Sequence, residues 1–405
     1  MTGKKKFLIL AALKNDLNPN TGSGIRIKGY TDKLSDLNVK YTFMARTKPD
    51  YLPVEKFKNL KLNSRLAKII ILHNLCFHFI ALRWLSHLLY FFLQFIPDLK
   101  NLKKYSLNTL VWAHQENITA TYLKIRFKRK IIFDVHGILH IQKENKEGMN
   151  PWKKLWFRLS LFHEKIAFPK MDYINAVSPQ MKQYIQENFS PNGKIFLAPD
   201  GIPDRLENYR YNQQYSKELC SKYGIPNDKP FLLFAGSLKK IGGVQDLVRT
   251  YIQNNKLNSK FYLVLIGKGQ MENYVEQLAY KNDLNHKIIR IQRVPHDELV
   301  GLMHASRAII CPDIGNEYNY MVPHIKLFDA VASGSFVISP GFEVNKEAID
   351  PVSFQNVLYY EPDNTTDLTN TILRLPDKPK PVNQEILTHL TYDYHLKEYL
   401  NNYFL

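Results

Sequence analysis

The chain has 405 residues, of which 45% are hydrophobic and 23% are charged, and it contains no low-complexity run. This length exceeds what one hydrophobic core normally supports, so it predicts a globular protein of two domains. The three cysteines (Cys76, Cys220 and Cys311) are far apart and odd in number, which argues against a disulfide framework or a cysteine metal cluster and favours a reducing cytosol.

The net charge of +18 is unevenly distributed. Residues 1–170 hold 31 Lys and Arg against 11 Asp and Glu, whereas residues 171–405 hold 24 against 26. This asymmetry indicates that the first domain faces an anionic surface, either lipid or nucleic acid. A soluble surface that happens to be rich in lysine is the alternative. The aromatic residues follow helix and strand periodicity and not a stacking platform, so nucleic-acid binding lacks a positive motif.

Near the start of the chain, Lys4-Lys5-Lys6 precedes the apolar run Phe7–Leu13. This run is too short for a signal peptide and no small-residue cleavage site follows it, so it predicts a first buried β-strand. Further short apolar runs alternate with helical segments, and most end at Gly, Asp, Pro or Ser, as buried parallel strands do. The predicted strands are 6–12, 39–45, 109–113, 130–135, 173–177, 194–197, 231–235, 261–266, 288–292, 308–311, 336–339 and 357–360, with helices at 244–253, 271–281 and 324–332 among others.

Such alternation predicts an α/β protein with two consecutive Rossmann-like, doubly wound parallel sheets. The predicted parts are a basic N-terminal domain (1–205), a polar linker (206–229), a second domain (230–385) and a C-terminal helix (386–405) that packs back on the first domain.

Two segments of the first domain resemble helices that lie in a membrane interface. Segment 64–96 is apolar with a narrow basic stripe, and Arg83 and its histidines argue against a membrane span. Segment 152–167 places Trp152, Leu155, Trp156, Leu159, Phe162 and Ile166 on one face and Lys153, Lys154, Arg158 and Lys165 on the other. In both cases a helix packed against the protein core is the alternative.

The second domain carries three glycine-containing turns at strand ends. Gly236-Ser237-Leu238-Lys239-Lys240-Ile241-Gly242-Gly243 follows the strand at 231–235, and Gly267-Lys268-Gly269 follows the next strand. Such turns can present backbone N–H groups to phosphate oxygens. The third segment, 323–334, predicts a helix that opens at Pro323 and ends before Gly334. On that helix Lys326 would meet a phosphate and Asp329 would accept hydrogen bonds from ribose hydroxyls; a surface i,i+3 ion pair between them is the alternative.

In this order, the three segments resemble the nucleotide-sugar-binding half of family 4-type glycosyltransferases (glycosyl transferases group 1). The N-terminal half resembles the family at Gly22-Ser23-Gly24 with Arg26, Asp134-Val135-His136-Gly137, Ala176-Val177-Ser178 and Pro199-Asp200-Gly201-Ile202. The resemblance implies a GT-B fold whose two domains face a central cleft, a retaining mechanism, a nucleotide-diphosphate sugar donor and no obligatory metal or other cofactor. Four positions depart from the family pattern: Ser237 and Gly242 replace an Arg and a Lys, and Met321 and Asp329 replace the paired glutamates.

The resemblance also assigns roles to individual residues. His136 and Glu317 are the candidate catalytic residues, with His136 beside the donor sugar and Glu317 standing in for the first glutamate. The candidate donor-binding residues are Gly236, Ser237, Lys239, Lys240, Gly267, Pro323, Lys326 and Asp329. Gly22, Ser23, Gly24 and Arg26 would form an opposing loop close to acceptor and diphosphate. Asp134 caps a turn in this interpretation, and no histidine spacing indicates a metal site.

Three hypotheses follow. The first is a glycosyltransferase of cell-surface polysaccharide or glycoconjugate synthesis, with a glycan or lipid-linked acceptor, cytoplasmic and peripheral on an anionic membrane. The second is a nucleotide-sugar epimerase of the same fold. The third is a membrane-binding or nucleic-acid-binding protein that has lost catalysis.

Overall fold

The computed structural model describes residues 7–13, 22–36, 39–46, 72, 110–115, 117–138, 140–141, 151–202, 209–350, 354–382 and 385–395. These residues divide into two compact units. The first extends to Ala176 and includes Met181–Leu197, and the second comprises Val177–Gln180 and the chain from Ala198 onward. The division lies a few residues before the predicted boundary at 205.

The first unit is built on a six-stranded parallel sheet with the order β2-β1-β3-β4-β5-β6. Its strands are β1 (Phe7–Leu13), β2 (Lys40–Arg46), β3 (Leu110–His114), β4 (Ile131–Val135), β5 (Tyr173–Ala176) and β6 (Lys194–Leu197). The described helices of this unit are α1 (Gly22–Asp36), α2 (Asn117–Phe127), α3 (Pro151–Ala167) and α4 (Pro179–Phe189), the last of which begins within the second unit.

The second unit holds another six-stranded parallel sheet, with the order β12-β11-β10-β7-β8-β9. Its strands are β7 (Phe231–Ala235), β8 (Tyr262–Ile266), β9 (Ile288–Ile291), β10 (Ala308–Ile310), β11 (Val337–Pro340) and β12 (Val357–Tyr360). Its described helices are α5 (Gln213–Lys222), α6 (Val244–Gln253), α7 (Asn255–Lys260), α8 (Glu272–Lys281), α9 (His296–Ala305), α10 (Ile325–Ala332), α11 (Glu343–Ile349) and α12 (Thr365–Leu373).

Both faces of the second sheet are buried. Along β7, Leu233 and Ala235 pack into one apolar cluster, and Leu232 and Phe234 pack into another on the opposite face. Strands that are covered on both faces are continuously apolar in sequence, and this is why the runs were recognisable. Each predicted strand is present within one residue at either end, and the predicted fold class is confirmed.

The predicted linker 206–229 is wrong in one respect, because α5 lies within it. The side chain of Asn212 caps this helix by accepting a hydrogen bond from the backbone N–H of Tyr215. Leu219 is buried against Gly301 of α9, where a Cβ atom would lie 2.4 Å from the Leu219 side chain. Few side chains of this segment are apolar, and this composition predicts a linker. The few apolar side chains pack against the second unit.

Helix α3 confirms the helix predicted at 152–167, and two of its buried side chains are polar. Ser160 and Glu164 are buried, and Glu164 accepts a hydrogen bond from Nδ1 of His140 at 2.7 Å. Leu155 is 39% exposed and Phe162 is 63% exposed. Lys154, Arg158 and Lys165 are exposed as well, so the exposed surface of this helix contains both apolar and basic side chains.

Two further predictions fall largely outside the described residues. Segment 64–96 is described only at Leu72, and 396–405 of the predicted C-terminal helix are not described. The described part of that helix contains a 3-10 helix at Ile386–Leu390, and Thr391 forms a β-bridge with Ile202. In the portion of the chain that the structure describes, none of the helices has the length and hydrophobicity of a membrane span.

Candidate functional site

The turns after β7 and β8 lie against each other at the carboxyl edge of the second sheet. The backbone N–H of Gly236 donates to the carbonyl of Ile266, and that of Leu238 donates to the carbonyl of Lys268, both at 3.0 Å. Gly267 has a φ of +133°, and a Cβ atom there would lie 1.9 Å from the carbonyl oxygen of Gly236. The contact therefore requires glycine, because only a residue without a side chain permits this approach.

A second close contact joins this edge to the segment that follows β10. Gly243 has a φ of +67°, and a Cβ atom there would lie 1.6 Å from the carbonyl oxygen of Pro312. Helix α6 begins directly after Gly243, so its N-terminus lies next to Asp313. Turns from β7, β8 and β10 thus meet at one place, as expected for a binding edge in a doubly wound sheet.

Lys326, in the first turn of α10, lies beside the turn after β7. Its Nζ atom is 2.6 Å from Oδ1 of Asp313 and 5.4 Å from the centre of the Phe234 ring. A Cβ atom on Gly242 would lie 3.9 Å from the same Nζ atom. The ammonium group is therefore held over the glycine turn.

Asp313 is the anchor of this arrangement, and sequence reasoning missed it. The carboxylate is buried, and its Oδ1 lies 2.8 Å from Nδ1 of His324 as well as close to Lys326. Burial alone would raise the pKa of Asp313, but the charges and hydrogen bonds of His324 and Lys326 lower it to about 2. The group is thus an anion at neutral pH.

Asp329 takes different partners from Lys326, so the two do not form the alternative i,i+3 surface pair. Its Oδ1 accepts a 2.6 Å hydrogen bond from the Tyr209 hydroxyl and lies 3.1 Å from Nε2 of His296. Burial lowers the pKa of His296, but the hydrogen bond and charge of Asp329 outweigh it and raise that pKa. Burial, helped by Asp329, raises the pKa of Tyr209. The carboxylate is 6% exposed and is oriented by two protein donors.

The other predicted residues of the second unit differ in exposure. Ser237, Lys239, Lys240 and Glu317 are exposed, whereas Pro323 is buried. Ser237 remains close to the second turn, since its hydroxyl lies 3.4 Å from the carbonyl of Lys268.

In the first unit, His136 follows β4 and belongs to a buried polar network. Its Nε2 atom lies 3.0 Å from Oδ2 of Asp134 and 3.0 Å from Nδ1 of His114. The His136 side chain is 12% exposed, whereas those of Asp134 and His114 are 0% and 3% exposed. His136 is therefore the most exposed of these three side chains.

The structure corrects the predicted roles of Arg26 and of the loop before it. Gly22, Ser23 and Gly24 form the first turn of α1 instead of a loop. The Arg26 side chain is fully buried, and it donates to Asp134 from Nη2 to Oδ1 at 2.8 Å and from Nε to Oδ2 at 3.2 Å. A guanidinium committed to a buried carboxylate is not a surface group for an acceptor or a diphosphate. Asp134 is likewise the centre of a network and not a turn cap.

The same network contains three side chains with metal-binding atoms. His114, Asp134 and His136 each offer one ligand atom within reach of a single ion. Arg26, however, places its positive charge on the Asp134 carboxylate, which opposes a cation. The arrangement favours a hydrogen-bond network over a metal centre. The sequence signal that could have revealed the network is the pairing of adjacent strands, because His114 and Asp134 are register partners in β3 and β4.

Comparison with known proteins agrees with this geometry. Residues 216–384 match the family model for glycosyl transferases group 1. The chain is 26% identical over 235 residues to the uncharacterized glycosyltransferase MJ1069 of Methanocaldococcus jannaschii, which covers 56% of this chain and 55% of that protein. It spans about half the length of the curated relatives MJ1069 and MJ1607 that it matches, at 55% and 45%.

Two solved structures cover nearly the whole chain. Sucrose-phosphate synthase from Thermosynechococcus elongatus superposes with a TM-score of 0.72 at 16% identity, over 98% of this chain and 99% of that chain. Anabaena Alr3699/HepE, solved in complex with UDP and glucose, gives 0.61 at 12% identity, over 98% and 100%. The chain therefore has the GT-B fold. The match to the glycosyl transferases group 1 family model lies within the second unit, where the sequence resemblance placed the nucleotide-sugar-binding half.

Proposed function

We propose that this protein is a retaining glycosyltransferase that moves a sugar, of the hexose class, from a nucleotide-diphosphate sugar to a glycan or lipid-linked acceptor. The reaction would serve the synthesis of a cell-surface polysaccharide or glycoconjugate. The observation that carries the proposal is the ammonium of Lys326, held by Asp313 over the glycine turn after β7.

This position suits the diphosphate of the donor. A leaving diphosphate develops negative charge, and a preorganised ammonium with backbone N–H groups stabilises such charge without reorganisation. Lys239 and Lys240 are exposed on the same turn and add positive charge. Asp313 keeps Lys326 in place while the site lacks an anion, and the diphosphate would then share the ammonium with it. With this charge supplied by the protein, we propose that the reaction requires no metal.

The position of Asp329 suits hydrogen bonding to the ribose of the nucleotide donor. Its Oδ1 already accepts from Tyr209 and His296, which fixes the plane of the carboxylate. We propose that Oδ2 accepts from ribose hydroxyls, as the family resemblance implies. Binding of UDP and glucose by Alr3699/HepE supports a nucleotide and a sugar as ligands of this fold. His136 would contact the sugar in this scheme, and Glu317 would act from its exposed turn.

We propose that the first unit rests on an anionic membrane at its cytoplasmic face. The charge excess of residues 1–170 supports this orientation. Helix α3 adds a specific surface, because Leu155 and Phe162 are exposed on its outward face. Lys154, Arg158 and Lys165 are exposed beside them. Exposed apolar side chains next to basic ones match the interface of a bilayer that contains anionic lipids.

The donor is tested by isothermal titration of the purified protein with UDP-, GDP- and dTDP-sugars and with the free nucleotides. Binding of at least one donor, followed by transfer or slow hydrolysis of its sugar, is expected. If none of these ligands binds, the proposal is refuted. Formation of an epimeric nucleotide sugar without any acceptor would instead identify an epimerase. Full activity in EDTA supports the metal-free reaction, and loss of activity that Mg²⁺ or Mn²⁺ restores would contradict it.

The membrane is tested by flotation with vesicles of phosphatidylcholine alone or of phosphatidylcholine mixed with phosphatidylglycerol, because basic segments are attracted to an anionic lipid surface. We expect flotation with the anionic vesicles only, and its loss in the double variant Leu155→Ser, Phe162→Ser. Tyr280→Ser is the matched control, because Tyr280 is 78% exposed on a helix of the second unit. Equal flotation of the double variant and the wild type would exclude α3 as the membrane surface.

A further inference from the structure

The Lys326 side chain crosses the glycine turn after β7. A Cβ atom on Gly236 would lie 3.7 Å from Cδ of Lys326, and a Cβ atom on Gly242 would lie 3.9 Å from its Nζ atom. The stem of the side chain therefore lies beside the start of the turn, and the ammonium lies beside its end. The side chain is 14% exposed, so protein atoms enclose most of it.

A carboxylate holds this ammonium, and close backbone contact fixes the place of that carboxylate. Asp313 directly follows Pro312, whose carbonyl oxygen would lie 1.6 Å from a Cβ atom on Gly243 at the end of the turn. The backbone of Asp313 therefore stays next to the turn, whichever cation binds its side chain. Nδ1 of His324 lies 2.8 Å from Oδ1 of Asp313, the same oxygen that contacts Lys326.

The charge of Asp313 defines what its partners do. Burial opposes ionisation of this carboxyl group, but the charges and hydrogen bonds of His324 and Lys326 lower its pKa to about 2. Asp313 is therefore an acceptor only, and Nδ1 of His324 donates to it. Because a buried carboxylate that loses its charged partner is strongly destabilised, the Asp313–His324 pair requires a cation beside it.

Gly242 is a second position from which an ammonium can reach this pair. Its φ lies outside the left-handed region. Among the described residues, an added Cβ atom would approach only the Ser237 carbonyl oxygen at 3.6 Å and the Lys326 Nζ atom at 3.9 Å, which are ordinary contacts. Lysine has a flexible four-carbon stem, so a lysine at position 242 can bring its ammonium to the place that Lys326 now occupies.

We infer that Asp313 and His324 are positioning residues that fix a cation beside the end of the glycine turn, and that the cation at this place binds the donor diphosphate whichever residue supplies it. The inference rests on the proposed function, in which Lys326 meets the diphosphate. Lys326 supplies the cation in this chain. An ammonium delivered from position 242 should therefore take over the role of Lys326.

The relocation of the cation is first tested without ligand, through thermal stability. Lys326→Met deprives the buried Asp313 carboxylate of its ammonium, so the melting temperature should fall. Adding Gly242→Lys should restore most of the loss. Lys326→Met with Gln270→Lys is the matched control, because Gln270 is exposed on the neighbouring turn and returns the charge at another place. Equal recovery in the two double variants, or recovery in neither, would overturn the inference.

The affinity arm compares UDP with uridine, which lacks the diphosphate. Lys326→Met should weaken UDP binding by about 10-fold and uridine binding much less, because only UDP loses a charge-assisted partner. Gly242→Lys in the same background should recover most of the lost UDP affinity and leave uridine unchanged. A purely structural role would move both ligands together. Gln270→Lys in that background should recover neither.

The possible failures are distinguishable. If UDP binds the wild type but Gly242→Lys recovers no affinity in Lys326→Met, the inference fails and the proposed donor site stands. If UDP does not bind the wild type, the proposed UDP site fails, and the melting temperatures still decide where the cation belongs. If Gly242→Lys does not fold, propylammonium added to Lys326→Ala decides: it should restore UDP binding, whereas the uncharged 1-propanol should not. Restoration by both compounds or by neither would overturn the inference.

The positioning roles are tested on the ammonium itself. In spectra of protein labelled with ¹⁵N at lysine, an ammonium that is hydrogen-bonded and shielded from water gives a separate signal, and Lys326→Met assigns it. The signal should broaden in Asp313→Asn and in His324→Leu. It should persist in His324→Asn, because the asparagine amide can donate from near the position of Nδ1. An unchanged signal in folded Asp313→Asn would show that the carboxylate does not hold Lys326.

Discussion

The Nζ atom of Lys326 lies 2.6 Å from the Asp313 carboxylate, so the ammonium beside the glycine turn is bound to a buried anion of the same unit. His324 contacts the same oxygen. With its pKa lowered to about 2, Asp313 keeps its charge throughout the physiological range. The site therefore presents an ammonium that Asp313 holds in position before any ligand arrives.

Replacing Lys326 by Met should weaken UDP binding by about 10-fold or more, because the diphosphate loses a charge-assisted partner. Uridine, which lacks the diphosphate, should lose much less. Isothermal titration with both ligands measures the difference. The control is Lys346→Met, which removes a surface i,i+3 pair with Glu343 in the same unit. Equal losses for UDP and uridine would show that Lys326 has a structural role and does not contact phosphate.

Tyr209→Phe should lower the free energy of unfolding by roughly 1–3 kcal/mol, because it removes a hydrogen bond to a buried carboxylate. It should also weaken nucleotide binding, since Asp329 loses one of the two donors that orient it. Urea denaturation measures the first effect. Tyr280→Phe, at a position that is 78% exposed, should change neither quantity. A Tyr209→Phe protein as stable as the wild type would show that the hydroxyl contributes little.

Two glycines form a matched pair for testing close backbone contact. Gly224 and Gly243 have nearly the same φ, +66° and +67°, but an added Cβ meets nothing within 4 Å at Gly224 and lies 1.6 Å from the Pro312 carbonyl oxygen at Gly243. Gly224→Ala should cost about 1 kcal/mol from backbone strain alone. Gly243→Ala should cost several times more, because the α6 N-terminus must move away from Pro312. Similar melting temperatures for the two variants would contradict this close contact.

The unfolding free energy should fall as the pH falls from about 6.5 to 4. The pKa of His136 is about 4 in the folded state, whereas an unperturbed histidine has a pKa of 6.5. The unfolded state therefore binds more protons than the folded state in this pH window. The loss from this group amounts to about 3 kcal/mol at most. Asp313 adds a further loss of unfolding free energy as the pH falls from 3.8 to about 2.

The raised pKa of His296 acts in the opposite direction, and for this reason the test compares variants. His136→Gln keeps a donor for Asp134 but does not titrate. Its denaturation midpoint should depend less on pH than that of the wild type between pH 6.5 and 4. Parallel curves for the two proteins would assign the acid sensitivity to other groups.

The sequence predicts the two sheets well because of how parallel strands are buried. Runs such as Phe231–Ala235 are apolar throughout and end at a glycine or another turn residue. The hydrophobic pattern and the turn residues therefore indicate the same strand ends. The same logic fails for α5, where few apolar side chains do the packing. It also does not predict the burial of Glu164 in α3, because its partner His140 lies 24 residues earlier in the chain.

The candidate site was partly predictable for a similar reason. Glycine turns and the Lys326 helix are contiguous motifs, so their residues can be recognised in sequence. Asp313 and Tyr209 are side-chain partners contributed by other segments, and nothing local distinguishes them from ordinary polar residues. Arg26 shows the same limit, since its partner Asp134 is 108 residues away and only the folded sheet brings them together.

That separation has a consequence for synthesis of the protein. At about 5–20 residues per second, the ribosome adds the 108 residues between Arg26 and Asp134 in roughly 5–20 s. During this interval α1 carries a cation whose carboxylate has not yet been made, and burying it alone would be costly. The core of the first unit is therefore completed only after β4 has left the ribosome. Until then the nascent chain must stay incompletely folded.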